Sequence, residues 1–147
     1  MSTMPRADIV KEINAPVEKV YEILNDLMIL PRWNIAVTEI SELEKDKYFL
    51  KTNVGDMINI VRENVPNERI TSDQEDSPMT KIGYILNPKG EGVEVTLWTE
   101  FDEESMRTVL EMAGDLFLKS LKVYVDYVMT GGNPEEYKKK LSKINKA

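Results

Sequence analysis

Tyr48, Gln74, Tyr84 and Thr99 are polar-tipped side chains set in strand-like runs that otherwise read apolar or inward. A few polar groups in an apolar pocket are what orients a small ligand. The competing reading is that the four satisfy one another or reach solvent at a sheet edge, because buried polar groups usually find internal partners. Trp33 follows the apolar run Leu27–Leu30 and Pro31. It either lines the mouth of a pocket or packs that run onto the sheet, the commoner use of a large aromatic. Met57, Met79, Met106 and Met112 supply adaptable apolar surface, for a ligand or for the core.

The sequence has no histidine and no cysteine, which removes thiol chemistry, disulfides, imidazole bases and His-ligated zinc. General acid–base work would fall to Asp, Glu, Lys, Tyr or Arg, and no carboxylate sits on a clearly inward strand face. Glu100, Asp102, Glu103 and Glu104 form an acidic cluster. It can be read as a cation site, but the preference of a helix N-terminus for negative charge explains three of the four without an ion. No catalytic residue, metal site or cofactor is expected, and the balance leans against an enzyme.

Two kinds of element must position these side chains. From Glu103 to Met129 runs a long apolar stripe. At about 100° per residue, Met106, Leu110, Ala113, Phe117, Tyr124 and Val128 share one face, with Val109, Leu116 and Leu121 on its shoulders. Glu111, Asp115, Lys119, Lys122 and Asp126 fall opposite, while Met112 points outward, so the segment predicts an amphipathic helix. Asp102 is placed to cap its start, and Gly131 and Gly132 to stop it.

Ahead of that helix the texture is strand and turn. Residues 6–13 predict a first strand, Pro16 opens a short helix carrying Val17, Val20, Tyr21 and Leu24, and Leu27–Leu30 a second brief one stopped by Pro31. Six further strands follow. They are separated by Lys45–Asp46, Val54–Gly55–Asp56, Val65–Pro66–Asn67–Glu68, Asp76–Ser77–Pro78 and the 87–92 turn. In the fourth of the chain's strands Ile58 and Ile60 read as one face. In the last, Val93, Val95, Leu97, Thr99 and Phe101 alternate with polar partners. Short turns between strands imply antiparallel pairing, and helices at both ends imply an α+β domain.

The 147 residues fit one domain. A net charge of −7 disfavours nucleic acid as a partner. No stretch reaches the roughly 18 apolar residues of a membrane span, and the opening MSTMPRADIV lacks a signal-peptide core. A cytoplasmic protein without stable membrane insertion is expected. Residues 133–147 read as a basic helical tail. Asn133 and Pro134 restart a helix with Tyr137, Leu141 and Ile144 on one face. Residues 134–147 hold five lysines and two glutamates, a net +3, so the rest of the chain carries −10. With so little apolar area the tail is expected to be dispensable for folding, and a homodimer contact is one use for it.

Ile13–Asn14–Ala15–Pro16, Val20–Tyr21, Leu24–Asn25–Asp26 and Leu30–Pro31–Arg32–Trp33 together resemble the opening of the SRPBCC superfamily. That superfamily includes START-like lipid-transfer domains, polyketide cyclases/dehydrases and birch-pollen-allergen proteins. Glu63 through Ile70, ENVPNERI, is similar to its E-x-x-P-x-x-R-hydrophobic turn, and Gly92–Leu97 to the strand that is its penultimate element. The resemblance covers about residues 6–130 and implies a helix-grip fold, with the domain expected over residues 1–132: a curved seven-stranded antiparallel sheet, two short N-terminal helices and one long C-terminal helix enclosing a cavity. It transfers no catalytic residue, because each branch places its own polar groups, and the basic tail is outside the shared pattern. The expected function is binding or transport of a small hydrophobic or amphipathic molecule, such as a lipid, polyketide or isoprenoid. The alternatives are a cyclase/dehydratase-type enzyme and a protein-interaction module acting on a chaperone or ribosome. The residues expected to line the cavity are Trp33, Tyr48, Ile60, Gln74, Ile82, Tyr84, Val95, Leu97, Thr99, Met106, Leu110, Ala113 and Phe117.

Overall fold

A computed structural model describes residues 4–53 and 55–147. Strand β1 (Arg6–Ile13) is followed by helix α1 (Val17–Asn25), a 3-10 turn (Leu27–Ile29) and helix α2 (Leu30–Trp33). Strands β2 (Val37–Glu44), β3 (Lys47–Thr52), β4 (Gly55–Val65), β5 (Arg69–Glu75), β6 (Met79–Lys89) and β7 (Gly92–Phe101) come next. A 3-10 turn (Glu104–Met106) then leads into helix α3 (Arg107–Met129). The chain ends in a 3-10 turn (Pro134–Glu136) and the single-turn helix α4 (Leu141–Ile144).

The seven strands form one antiparallel sheet in the order β1-β7-β6-β5-β4-β3-β2. Strands β2 to β7 are a meander, and β1 pairs along the free edge of β7 from Arg6–Glu100 to Ile13–Val93. Helices α1 and α2 therefore carry the chain from one edge of the sheet to the other. In β1, Ala7, Ile9 and Ile13 face inward and Val10 is exposed, a register that the apolar residues alone leave open.

Register breaks at Val61/Glu63 and Met79/Lys81 interrupt the ladders. Such bulges bend a strand and increase its twist, so the sheet curves under α3. On the outer face Trp98 lies across Gly83, where an added Cβ would come within 2.4 Å of the indole. The Arg6 guanidinium stacks 4.7 Å from the centroid of the Trp98 ring. In the β4–β5 hairpin, Arg69 Nε donates to Glu63 Oε1 at 2.8 Å, so the Glu and Arg of the ENVPNERI segment clamp its two strands.

The hairpin turns at Asp46 (φ 64°) and Asn67 (φ 63°) use the left-handed region that Asp and Asn tolerate. The expected Val54–Gly55–Asp56 turn includes Val54, which lies outside the described residues, as do Met1–Thr3 of the N-terminus. The last hairpin is tighter than 87–92, since Asn87 to Lys89 stay in the ladder and Gly90–Glu91 alone make the turn. Pro31 starts α2 rather than ending a helix, because an imino group is harmless in a first turn. Asp102 does not cap α3. A 3-10 turn precedes the helix, with no side-chain cap, and Arg107 pairs with Glu104 and donates to the Arg6 carbonyl at 2.8 Å.

The core is densest where α3 crosses β1 and β7. Leu118, Leu121 and Val125 of the helix, with Val93, Val95 and Leu97 of β7, are fully buried there. Gly114 lets the helix approach: a Cβ on it would lie 3.0 Å from Ile9 Cγ1 and 3.5 Å from Leu97 Cδ2.

The tail is not one helix. Asn133 Oδ1 accepts from the Glu135 N–H and starts a 3-10 turn, after which residues 137–140 run without helix to α4. Tyr137 packs edge-on to Tyr124 at 5.0 Å and against Tyr127 at 5.0 Å. Ile144 is fully buried, so the tail is docked on the body of its own chain.

Candidate functional site: an apolar cavity beneath helix α3

The sheet that packs tightly on one flank of α3 curves away from the other. The result is a cavity of about 550 Å³, within the range of small-molecule sites. Met106, Leu110, Ala113, Leu116 and Phe117 form its roof. Leu50, Met57 and Asn59 of β3–β4, Ile70, Ser72 and Gln74 of β5, and Met79, Ile82 and Tyr84 of β6 form its floor. Leu24, Leu30 and Trp33 close the end beneath α1 and α2. Here Asn64 of β4 accepts from the Tyr21 hydroxyl and donates to Asn25 Oδ1 at 2.7 Å, tying α1 to the sheet. The rim includes Ile35, Ala36, Asn53, Val109 and Leu141, the last two exposed.

Of the expected lining residues, Trp33, Gln74, Ile82, Tyr84, Met106, Leu110, Ala113 and Phe117 come together around this cavity. Tyr48, Ile60, Val95, Leu97 and Thr99 do not line it. Tyr48 is on the inward face of β3, but one step past Leu50, opposite Asn59 and outside the wall. Burial, then the neighbouring Glu42, push its phenol up from the ordinary value. Ile60 has the opposite parity to Met57 and Asn59 and faces the outer side of the sheet. Val95, Leu97 and Thr99 face inward on β7, in the part of the sheet adjoining the tightly packed flank. Sequence periodicity tells inward from outward, but it does not say which inward positions are covered by the helix and which are left open.

Asn59 and Ser72 are the main residues that periodicity misses. In β4 the apolar Ile58 and Ile60 look like the buried face, yet both are half-buried on the outer side, while Asn59 is buried. The reason is a side-chain ladder across the floor. Asn59 Nδ2 donates to Ser72 Oγ at 3.1 Å, and Gln74 Nε2 donates to Asn59 Oδ1 at 3.0 Å. Ser77 Oγ donates to Gln74 Oε1 at 2.8 Å. Polar groups that satisfy one another can be buried at little net cost. The signal was present in Ser72 and Gln74, which share a parity on the next strand.

No lining residue is charged at neutral pH. Tyr84 is half-buried and lines the cavity; burial pushes its phenol up, so it stays protonated. Among the described residues no three carboxylates come together as a cation site, and no helix is long and apolar enough to cross a membrane. The site can enclose an apolar body and offer it hydroxyl and amide groups. It holds no ionised base to activate Ser72 or Thr52.

No family model matches the chain, and no curated protein sequence does. Solved structures do match. A START superfamily protein from Mycobacterium smegmatis is 15% identical with a TM-score of 0.70, over 84% of this chain and 98% of that one. The Aha1 dimer from Colwellia psychrerythraea is 21% identical with a TM-score of 0.72, over 88% of this chain and all of that one. The di-domain ARO/CYC protein BexL is 20% identical with a TM-score of 0.70, and the match spans 86% of this chain and 48% of BexL. The chain thus has the α+β helix-grip fold shared by START-like, cyclase-like and Aha1 structures, with the long helix gripped by a curved seven-stranded sheet.

Proposed function

We propose that this protein binds a small apolar or amphipathic molecule in the cavity between α3 and the sheet, as a carrier or sensor rather than a catalyst. The observation that carries the reading is a cavity of about 550 Å³ with no charged side chain in its wall. Apolar burial supplies affinity there in proportion to the area removed from water. A cyclase-type reaction draws support from the fold it would share with BexL, but the wall offers no ionised acid or base for it. The tail gives weak support to a dimer, because Tyr137 and Ile144 already pack within one chain.

The test is titration with N-phenyl-1-naphthylamine, a neutral dye that brightens in apolar surroundings. One saturable site is expected, together with a small molecule retained by the purified protein in native mass spectrometry. Purely non-saturable brightening would remove the carrier reading.

A further inference from the structure

Tyr84 differs from the other polar groups around the cavity. Asn59, Ser72, Gln74 and Ser77 bond to one another. Asn34 accepts from the Ala36 N–H, and Asn53 donates to the Ile35 carbonyl. Two lining side chains with a polar atom make no hydrogen bond at all to the described residues, the Trp33 indole and the Tyr84 phenol. The Trp33 N–H is sealed off from the cavity by its neighbours. The Tyr84 hydroxyl is not sealed in this way, and the residue is only half-buried although it sits on the inward face of β6.

Register gives its place. Tyr84 sits across from Ile70, one inward step beyond the Ser72–Ile82 pair and toward the end that α1 closes. A phenol kept protonated by its surroundings is both a donor and an acceptor. When the cavity holds water, water can meet it. A ligand that displaces this water loses affinity unless it supplies an oxygen or nitrogen in the same place. That atom cannot belong to an ionised group, because no lining residue is charged and a buried charge without a partner is strongly disfavoured.

We infer that the ligand is uncharged and enters with an acceptor oxygen, a carbonyl or hydroxyl, directed at the Tyr84 hydroxyl, its hydrocarbon body lying along the α3 roof. This rests on the carrier reading and adds the polarity and orientation of what is carried. Medium-chain methyl ketones and alcohols fit it; fatty acids, whose carboxylates are ionised at neutral pH, do not.

The experiment is displacement of N-phenyl-1-naphthylamine at pH 8 by decan-2-one, decane and decanoate, each below its aggregation limit, on the wild type and Tyr84→Phe. On the wild type decan-2-one should displace the dye at concentrations about two- to tenfold lower than decane, the scale of one net hydrogen bond, and decanoate should be the weakest. Tyr84→Phe should bring decan-2-one to the level of decane, leave decane unchanged and keep the melting temperature. Decanoate competing as well as decan-2-one would overturn the inference, as would a ketone advantage that survives Tyr84→Phe. Equal displacement by decan-2-one and decane on the wild type would overturn it too, while leaving the carrier reading in place. If the dye itself does not saturate, the carrier reading fails first, so the two failures are distinguishable.

Discussion

The Lys139 ammonium lies 2.6 Å from the carbonyl oxygen of Val37 and 2.7 Å from that of Asn34, so the tail is bound to the segment that leads from α2 into β2. Ile35 and Ala36, between those two carbonyls, are on the cavity rim, and Leu141, two residues after Lys139, completes it. Among the described residues no carboxylate pairs with this ammonium, and burial pushes its pKa down from the ordinary lysine value. The tail is therefore a structural part of the rim rather than an appendage.

Replacing Lys139 with Met keeps the apolar stem and leaves the Val37 carbonyl without this donor. A loss of about 0.5–1.5 kcal/mol is expected. The pH dependence has a definite sign. A lysine whose folded pKa is lowered binds fewer protons folded than unfolded, so stability rises with pH between the lowered value and the unfolded value of about 10.4. The gap in urea midpoint between wild type and Lys139→Met should widen from pH 8 to 10.5. A narrowing gap would mean that the two carbonyl bonds outweigh burial.

Ile144, three residues before Ala147 and fully buried, should be costly to truncate. Ile144→Ala is expected to lower stability by about 2–4 kcal/mol, measured by denaturant unfolding. Deleting residues 133–147 should cost more than Ile144→Ala, since it also removes the Tyr137 packing on Tyr124 and Tyr127. A deletion that melts like the full chain would show that the tail does not contribute to the fold.

Ala113 and Gly114 are neighbours in α3 with opposite surroundings. Ala113 is over the cavity, whereas a side chain on Gly114 would meet Ile9 and Leu97. Ala113→Trp should place its indole in the cavity, change stability by less than about 1 kcal/mol, and abolish dye binding. Gly114→Leu should push the helix off β1 and β7 and cost about 1–3 kcal/mol or more, as overpacking does. Thermal melts with the dye titration separate the two. A strongly destabilised Ala113→Trp that still binds dye would place Ala113 in packed core.

Asp73, on the outer face of β5, accepts from Arg62 Nε at 2.8 Å and Lys81 Nζ at 3.0 Å, one from each neighbouring strand. The Arg62 bond first, then the Lys81 bond, hold its carboxyl below the ordinary value. A depressed folded pKa adds stability that is present above the unfolded value of about 3.9 and is lost as pH falls through the folded value. Asp73→Asn should cost about 0.5–1 kcal/mol at pH 7, typical of exposed cross-strand pairs. The difference should shrink in high salt and vanish at low pH. A cost that persists at low pH would point to packing rather than charge.

Much of the architecture follows from local pattern. Alternation in residues 93–101, the apolar stripe from Met106 to Val128, and turn residues such as Asp46 and Asn67 specify strands, long helix and hairpins without reference to distant contacts. That is because one inward face per element and a few left-handed turns are properties of adjacent residues. The absence of histidine and cysteine likewise limits the chemistry from composition alone. Only the tertiary structure decides where the inward faces meet and where they stand apart. Leu97 and Ile82 both read inward, yet Gly114 brings the helix down on the first while the curving sheet leaves the second in the cavity wall. Asn59 is buried and Ile58 and Ile60 are not, because its partners Ser72 and Gln74 arrive from another strand. Lys139 and Ile144 gain their roles from carbonyls and side chains contributed by distant parts of the chain. Periodicity reports on neighbours along one element; cavities, buried polar ladders and docked tails depend on what faces that element across space.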